Sequence, residues 1–432
     1  MGRVKSKTYS RVQYNERLLV WEGIISNFGV WIVWSYVSIL AIYLGASDLE
    51  VGLLSSLPAL VTMLAMIPLT RIAQGRPRQK MIAAACAFGN RGFYLLLAIL
   101  PLLGLLTPKL LIIIVVIMAV PGALLNVVWA DLQSRLFPPE QRAGILGFRN
   151  AVCKVAAIVA TFLGGYFIEV VGYPTNYSVL FAVAFALCML GVYLVTRIDE
   201  VDHSGDDGQA EPSQDIPYFK QLKAIVTDEE YGRKFIVFTI SMFVFHFGMN
   251  TTASVWPIYH VRELGLSTTV IGIFNSASGV LSAIGFWYLG RVAAKRGDDF
   301  VLTVSVLGNA IFPLVYSFFP NVLVMTLLQS WVGFWNAGWS LTIYTILLNS
   351  SKDQYRSACI ATFHTLMSVT GFISPMFGTF LLAHMPGHMA LRVSSAIRIL
   401  GWFILVFGMR ALEGTSRPTG RSAVRVRIPR RG

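Results

Sequence analysis

A few charged side chains interrupt long apolar stretches of this sequence, and they are the residues with which it could do chemistry. Glu22, Asp131 and Lys154 each lie in such a stretch. Ionised groups are costly at membrane depth and usually face the protein interior, where they often serve function. Two carboxylates at one low-dielectric level raise each other's pKa, as a proton-binding site requires. Glu22 and Asp131 are therefore predicted as proton-coupling groups, and Lys154 as the residue that meets an anionic ligand group.

Each of these residues also has a structural interpretation. Glu22 and Asp131 could pair statically with Arg149, Lys154 or Arg91 and hold the surrounding helices together. Lys154 could in the same way neutralise a carboxylate instead of contacting a ligand. The sequence alone leaves both interpretations open.

Histidines, amides and indoles recur in the same apolar stretches. His246 could titrate as a third proton-coupling group, although a lone buried histidine is more often only hydrogen-bonded. Amides beside indoles suit a polar organic ligand stacked on aromatic faces, and ordinary packing is the other interpretation. The candidate binding residues are Asn27, Trp31, Asn126, Trp129, Lys154, His246, Asn250, Trp335, Asn336 and Trp339.

The elements that must position these residues are membrane-spanning helices. The chain of 432 residues is 55% hydrophobic and 13% charged, whereas soluble proteins carry about 25% charged residues. Apolar runs of about 20 residues recur, and each is long enough to cross a bilayer. The predicted spans are 18–44, 49–70, 80–105, 109–136, 145–170, 174–196, 234–260, 267–290, 300–318, 321–348, 358–383 and 389–411.

Basic residues are distributed unevenly over the predicted loops. Most fall in the amino-terminal arm, in alternate loops and in the tail, whereas the opposite loops offer only Lys109 and Arg262. By the positive-inside rule, both termini and the central linker are predicted to be cytoplasmic. This topology explains the net charge of +13. We therefore expect the lipid bilayer, and no nucleic acid, as a partner.

The chain divides at a polar stretch near its middle. Acidic residues mixed with glycine and proline crowd the segment from Asp199 to Pro217, a composition that cannot bury a core. Phe219, Leu222 and Ile225 then fall at helical spacing and predict a short amphipathic helix on the membrane surface. The predicted organisation is an arm (1–17), a six-helix half (18–197), a linker (198–233), a second six-helix half (234–412) and a basic tail (413–432).

The two halves repeat one another. Six spans followed by six, with both halves starting on one side, form a parallel repeat of the kind used by alternating-access transporters. The predicted fold class is therefore an all-α integral membrane protein, with twelve transmembrane helices in two pseudo-symmetric halves. Matching segments include Leu44-Gly45-x-Ser47 with Leu264-Gly265-x-Ser267, and Asn27-Phe28-Gly29 with His246-Phe247-Gly248.

The span count, the central linker and the repeat resemble the major facilitator superfamily. The run from Gly290 to Gly297 is similar to the family's motif G-x-L-A-D-R-x-G-R-R, and Thr70 to Arg78 is a weaker copy. In the family this motif implies, an aspartate helps to hold the cytoplasmic side closed. Here that aspartate is replaced by Ala294 and by Gln74, so another contact must take its role. The resemblance implies cytoplasmic gate loops that contain Arg71, Arg76, Arg142, Gly290, Arg291, Lys295, Gly297 and Arg356.

The resemblance also implies a function. It predicts a secondary transporter of the inner membrane, a monomer that moves a small organic solute by alternating access, with proton coupling as one option. Efflux of hydrophobic drugs is an alternative, and a transporter-like sensor or assembly protein is another. The sequence carries no P-loop, G-x-S-x-G or H-E-x-x-H pattern, so we expect neither an enzyme nor a cofactor. Its four cysteines show no metal-binding spacing.

Overall fold

The computed structural model describes most of the chain. The described residues are 2–73, 79–137, 139–199, 225, 227, 231–349 and 356–415. Side chains are described for these residues except 2–10, 66–73, 130–131, 134–135, 139–143, 344, 348–349, 356–358, 361 and 412–415.

Long α-helices joined by short turns form the described part of the chain. A π-helical turn, Tyr259–Glu263, continues the eighth helix. In chain order the helices are α1 (Gly2–Tyr43), α2 (Asp48–Ala73), α3 (Gln79–Arg91), α4 (Phe93–Leu102), α5 (Pro108–Leu136), α6 (Pro139–Val170), α7 (Thr175–Thr196), α8 (Tyr231–Ile258), α9 (Thr268–Arg296), α10 (Asp298–Tyr316), α11 (Val322–Asn349), α12 (Arg356–His384) and α13 (Gly387–Thr415).

Within the described residues, 11 stretches are helical, long and apolar enough to cross a membrane, with α3 and α4 counting as one. Helix α11 has 28 residues and matches the predicted tenth span. The prediction of an all-α membrane fold with two six-helix halves is confirmed. The face at which α1 begins and α13 ends is called the terminal face below.

Two helices extend beyond the predicted spans. Helix α1 begins at Gly2, so the residues of the predicted arm continue the helix of the first span. Helix α9 continues to Arg296, so the motif predicted as a loop is helical up to that residue. Alanine, lysine and arginine favour helix, and cations suit a helix carboxyl end. Gly297 ends α9 with a φ of 89°, a left-handed conformation that favours glycine.

The two halves pack in the same way. In the amino half, α1 packs on α6 and α7, while α5 packs on α2 and α3. In the carboxy half, α8 packs on α12 and α13, while α11 packs on α9 and α10. The halves meet along a matching pair of contacts, α2 with α12 and α6 with α9. The internal repeat read from the sequence is therefore a repeat of helix packing.

The start of the linker is attached to α1. The Asp199 carboxylate accepts hydrogen bonds from the Arg11 guanidinium, with Nη2 2.6 Å from Oδ1. Asn15 also pairs with the Asp199 backbone, donating to its carbonyl at 2.9 Å and accepting from its N–H at 3.0 Å. The Arg11 guanidinium holds the pKa of Asp199 below its usual range.

The amphipathic helix predicted in the linker lies mostly outside the described residues. Ile225 and Thr227 are described, and both are helical. Ile225 is buried in a core cluster of the carboxy half with Phe235 and Phe238.

Candidate functional site

A cavity of about 530 Å³ lies between the two halves. This volume is typical of sites for small organic molecules. Amino-half helices α1 and α6 line one side, and carboxy-half helices α8, α9 and α11 line the other. The polar and aromatic lining residues are Trp31, Trp34, Ser35, Ser38, Lys154, Thr161, Trp256, His260, Phe274, Asn275, Ser278, Ser282, Gln329 and Asn336.

Helical periodicity explains why these residues converge. On α1 the lining residues lie at positions 31, 34, 35, 38 and 39, and on α6 at 154, 157, 158 and 161. Both sets follow the i, i+3, i+4, i+7 spacing that places residues on one helix face. Helix α11 contributes Gln329, Gly333 and Asn336 at matching intervals. Helix α11 therefore gives a polar face to the cavity.

Lys154 provides a cation on the cavity wall. Its side chain is exposed, and its Nζ lies 5.6 Å from the centre of the Trp31 ring. Among the described residues, no carboxylate lies within ion-pair distance of it. The cation is held against an aromatic face, an attractive arrangement that leaves it able to bind an anion.

The carboxy half contributes a histidine that the sequence analysis missed. His260 lies in the π-helical turn after α8, where its Nε2 is 2.8 Å from the Tyr316 hydroxyl. It stacks on Trp256, with ring centroids 5.4 Å apart. Periodicity in the sequence does not predict π-turns, which are rare overall but frequent at functional sites.

The halves are joined on the face opposite the termini. Thr268 Oγ1 donates to the Gly165 carbonyl at 2.9 Å, and Ser276 Oγ donates to the Ile158 carbonyl at 3.1 Å. The Arg262 guanidinium crosses between the halves to the Asp48 carboxylate and the Ala46 carbonyl.

Glycine allows this approach. A Cβ on Gly165 would lie 2.5 Å from the Thr268 carbonyl oxygen and 2.6 Å from the Tyr36 hydroxyl. A Cβ on Gly272 would lie 3.1 Å from the Thr161 carbonyl oxygen. The backbones of α6 and α9 therefore pack closely against each other at this end.

Towards the terminal face the same two helices present exposed residues. Asn150, Ala151 and Lys154 of α6 are exposed, as are Ala283 and Phe286 of α9. These residues continue the faces of α6 and α9 that line the cavity, so their exposure indicates that the cavity opens towards the terminal face.

Glu22 does not line the cavity. It is 2% exposed, with its Oε2 2.9 Å from Arg149 Nη2 and its Oε1 3.8 Å from Arg91 Nη1. Arg91 also donates to the Ser26 hydroxyl at 2.9 Å. This cluster joins α1, α3 and α6, and it favours the interpretation of a static pair that holds the amino half together.

Other candidates lie near the cavity or behind it. Asn27 precedes Trp31 by one turn on α1 and donates to the Gly23 carbonyl at 2.8 Å. Asn250 donates to the Thr370 hydroxyl at 3.1 Å. His246 is buried, with its Nδ1 2.8 Å from the Met242 carbonyl oxygen.

The remaining aromatic candidates are separate from the cavity lining. Trp339 packs against the His246 ring at a centroid distance of 5.1 Å. Trp129 lies 5.4 Å from the Arg149 guanidinium, and Asn126 is exposed on α5. Trp335 lines a second pocket on another face of α11. Of the ten candidate binding residues, Trp31, Lys154 and Asn336 line the cavity.

Several predicted residues cannot be placed in detail. Arg76 lies outside the described residues, and so do the side chains of Asp131, Arg71, Arg142 and Arg356. For the other gate residues, Arg291 lies over the Trp287 ring at 3.8 Å, and Lys295 is exposed near the end of α9. Gly290 lies in α9, and Gly297 is the turn that follows it.

Two similar helical halves around a cavity at their interface define a membrane carrier. The chain belongs to the Major Facilitator Superfamily, whose family model matches residues 23–375 and 238–430. It is accordingly a multi-pass membrane protein of a transporter family that moves small solutes.

Comparison with individual proteins gives more distant similarities. The chain is 26% identical over 199 residues to the cis,cis-muconate transport protein of Acinetobacter baylyi. That alignment covers 45% of this chain and 47% of the relative, so it spans about half of each.

Solved structures share the fold over nearly the whole chain. A bacterial homologue of the human lysosomal transporter Spinster, in an inward-facing and unoccupied conformation, matches with a TM-score of 0.72 and 13% identity. The match covers 95% of this chain and 99% of that one. The nucleoside transporter NupG matches with a TM-score of 0.68 and 12% identity, covering 91% and 99%.

Proposed function

We propose that this protein is a secondary transporter of a small organic anion, which it binds in the cavity between the halves and moves by alternating access. The observation that carries the proposal is Lys154, an exposed cation on the cavity wall with no described carboxylate in ion-pair distance. A cation in a membrane-embedded cavity is costly without a counter-charge, so an anionic ligand stabilises it.

The rest of the cavity suits a flat, unsaturated acid. Trp31 and Trp34 of α1 and Trp256 of α8 offer aromatic faces for a planar carbon skeleton. Asn275, Gln329 and Asn336 of the carboxy half offer amide donors for a second polar group. A ligand bound to both halves changes its contacts when the halves rock, which alternating access requires.

The muconate relative supports the same class of ligand. Muconate is a short conjugated dicarboxylate, whose two charged ends would meet Lys154 and the amides. The similarity covers about half of each chain, so it supports the class of small organic acids and not muconate in particular.

We further propose that the terminal face is cytoplasmic in the plasma membrane of a bacterial-type cell, and that the protein acts as a monomer. The excess of cations in the arm, alternate loops and tail supports this orientation. The state described here then opens towards the cytoplasm. Proton coupling through Glu22, Asp131 or His246 is part of the proposal, and the pH dependence of solute flux in variants of these residues tests it.

The proposal is tested by binding and flux measurements on purified protein. Muconate and a panel of aromatic and aliphatic mono- and dicarboxylates are titrated in detergent, and the best ligand is then followed into proteoliposomes. In Lys154→Gln, affinity for the anion should fall about 10- to 100-fold, because a charge-assisted contact is worth about 1.5–3 kcal/mol. Lys109→Gln, a cation at the start of α5 outside the cavity lining, is the matched control.

Other outcomes would support other functions. Binding restricted to neutral lipophilic compounds, unaffected by Lys154→Gln, would contradict the anion proposal and indicate drug efflux. Absence of both binding and flux in folded protein would indicate a transporter-like sensor or assembly protein.

A further inference from the structure

A second pocket, of about 590 Å³, lies on the outer side of the carboxy half. It lies between α9 and α10, with Trp335 of α11 in its wall. Helix α10 contributes Phe300 and Val304 to this pocket and no residue to the central cavity. The two sites therefore use different faces of α9 and α11, and the second pocket faces the bilayer.

The pocket combines cations at one end with aromatic rings, of which Phe300 lies beside the cations and Trp287 lies further along α9. Arg291, Lys295 and Arg296 line it on the last two turns of α9. Trp287 is 60% exposed and Phe300 is 42% exposed, and both lie in the same wall. Exposed aromatic rings with cations beside them are typical of the boundary between lipid headgroups and hydrocarbon.

The cations pair with rings and not with described carboxylates. The Arg291 guanidinium lies 3.8 Å from the centre of the Trp287 ring, and the Arg296 guanidinium lies 5.2 Å from the Phe300 ring. No ion pair joins either arginine or Lys295 to a carboxylate within the described residues. The nearby Asp298 and Asp299 begin α10, where carboxylates suit the positive end of the helix.

The length of the groove fits one lipid molecule. Nine residues separate Trp287 from Arg296 on α9, a rise of about 14 Å at 1.5 Å per residue. One leaflet of hydrocarbon is about half of the 30 Å bilayer core. The polar end of the groove thus lies at headgroup level when its aromatic end lies among the acyl chains.

From this charge and shape we propose that the groove between α9 and α10 is a binding site for an anionic phospholipid. The phosphate lies against Arg291 and Lys295, because guanidinium and ammonium groups bind phosphate oxygens strongly. An acyl chain lies along Trp287, Phe300 and Trp335. The occupant is a bilayer lipid and not a soluble phosphate, because the apolar wall requires a chain.

The test uses the full-length protein in phosphatidylcholine nanodiscs with increasing phosphatidylglycerol. In separate samples, one or the other of the two lipids carries brominated acyl chains, which quench the emission of nearby tryptophans. In the wild type, brominated phosphatidylglycerol should quench more than brominated phosphatidylcholine at equal content. In Arg291→Gln/Lys295→Gln, the relative affinity for phosphatidylglycerol should fall about 25-fold, because each of the two cations contributes about a factor of five.

A matched pair of cations provides the control. Arg233 and Lys234 are exposed at the start of α8, on the same face, and do not line the groove. Arg233→Gln/Lys234→Gln should retain the preference for phosphatidylglycerol. Trp287→Phe keeps the cations and should retain the preference while losing part of the quenching. Equal quenching by the two lipids in the wild type, or equal losses in the two double variants, would overturn the proposal.

Discussion

Buried charge is stabilised in two different ways in this protein. Glu22 lies between Arg149 and Arg91, so opposite charges compensate one another in the amino half. Arg398 is 3% exposed in the carboxy half and donates to the Thr252 hydroxyl at 2.8 Å and to the Asn309 carbonyl at 3.2 Å. Both arrangements place a charge inside a helical half, whereas Lys154 faces the cavity. The position of a charge relative to the cavity therefore separates packing residues from ligand-binding candidates.

The Glu22 cluster gives a first prediction. Glu22→Gln leaves Arg149 buried without its counter-charge and should cost about 3–5 kcal/mol of stability. Glu22→Gln/Arg149→Gln should cost less than the sum of the two single changes, because it removes both charges. Thermal unfolding in detergent measures the effect, with Glu16→Gln, a partly exposed carboxylate on the same helix, as control.

A coupling role for Glu22 would give the opposite pattern. In that case Glu22→Gln would keep wild-type stability, and solute flux in proteoliposomes would lose its pH dependence. The same flux assay applied to Asp131→Asn and His246→Gln tests the other two candidates.

The junction between α1 and the linker gives a pH prediction. The pKa of Asp199 is lowered in the folded protein by Arg11, so its contribution to stability is complete above the ordinary value of about 3.9. That contribution is lost as the pH falls through the lower folded value. As the pH is lowered from neutral to acid, the resistance of this junction to limited proteolysis should therefore fall less in Asp199→Asn than in the wild type. Asp298→Asn is the control, and an unchanged acid profile in Asp199→Asn would contradict the prediction.

At the scale of the helices, closure depends on small residues where α6 meets α9. The contact at Gly165 leaves no room for a side chain, because backbone and a buried hydroxyl occupy the space. Further along α6, a Cβ on Gly147 would contact nothing within 4 Å. One helix therefore has a closely packed end and an open end, which allows the halves to pivot between them.

This difference predicts the effect of adding one methyl group. Gly165→Ala should destabilise the closed opposite face by about 1–3 kcal/mol, as overpacking does, and shift the population towards opening at that face. Gly147→Ala should leave the population unchanged. Accessibility of a cysteine at position 35 to a reagent added on the opposite face measures the shift, and equal labelling of the two variants would contradict the prediction.

At the scale of the whole molecule, the two halves are held by few polar contacts across the opposite face. Arg262 reaches from the carboxy half to Asp48 and Ala46 of the amino half. Arg392 lies in the same region but donates to Ser317 within its own half, at 3.0 Å. Only the first of these two arginines should affect the equilibrium between open and closed states.

Spin labels across the opposite face can measure that equilibrium. Arg262→Gln should favour the open state by about 1 kcal/mol, or about fivefold, which is the upper range for an exposed ion pair. Labels at Leu49 and Met389, both exposed, report the distance between the halves. Arg392→Gln is the control, and identical distance distributions in both variants would show that Arg262 does not hold the halves together.

The sequence by itself determined the fold class. Apolar runs of bilayer length, the uneven distribution of cations and the repeated segments all reflect local or one-dimensional constraints, which a chain displays without its partners. Depth along a span follows from residue count, so Lys154 and Glu22 were both recognised as membrane-embedded charges.

Only the tertiary structure decided which way these residues face and what they contact. Position along a helix gives depth, but rotation about the helix axis depends on packing against neighbouring helices. Glu22 thus faces Arg149 within the amino half, while Lys154 faces the cavity beside Trp31. His260 depends on a π-helical turn, and its partner Tyr316 lies 56 residues away in sequence. The cavity is formed by side chains from five helices, and no single stretch of sequence contains it.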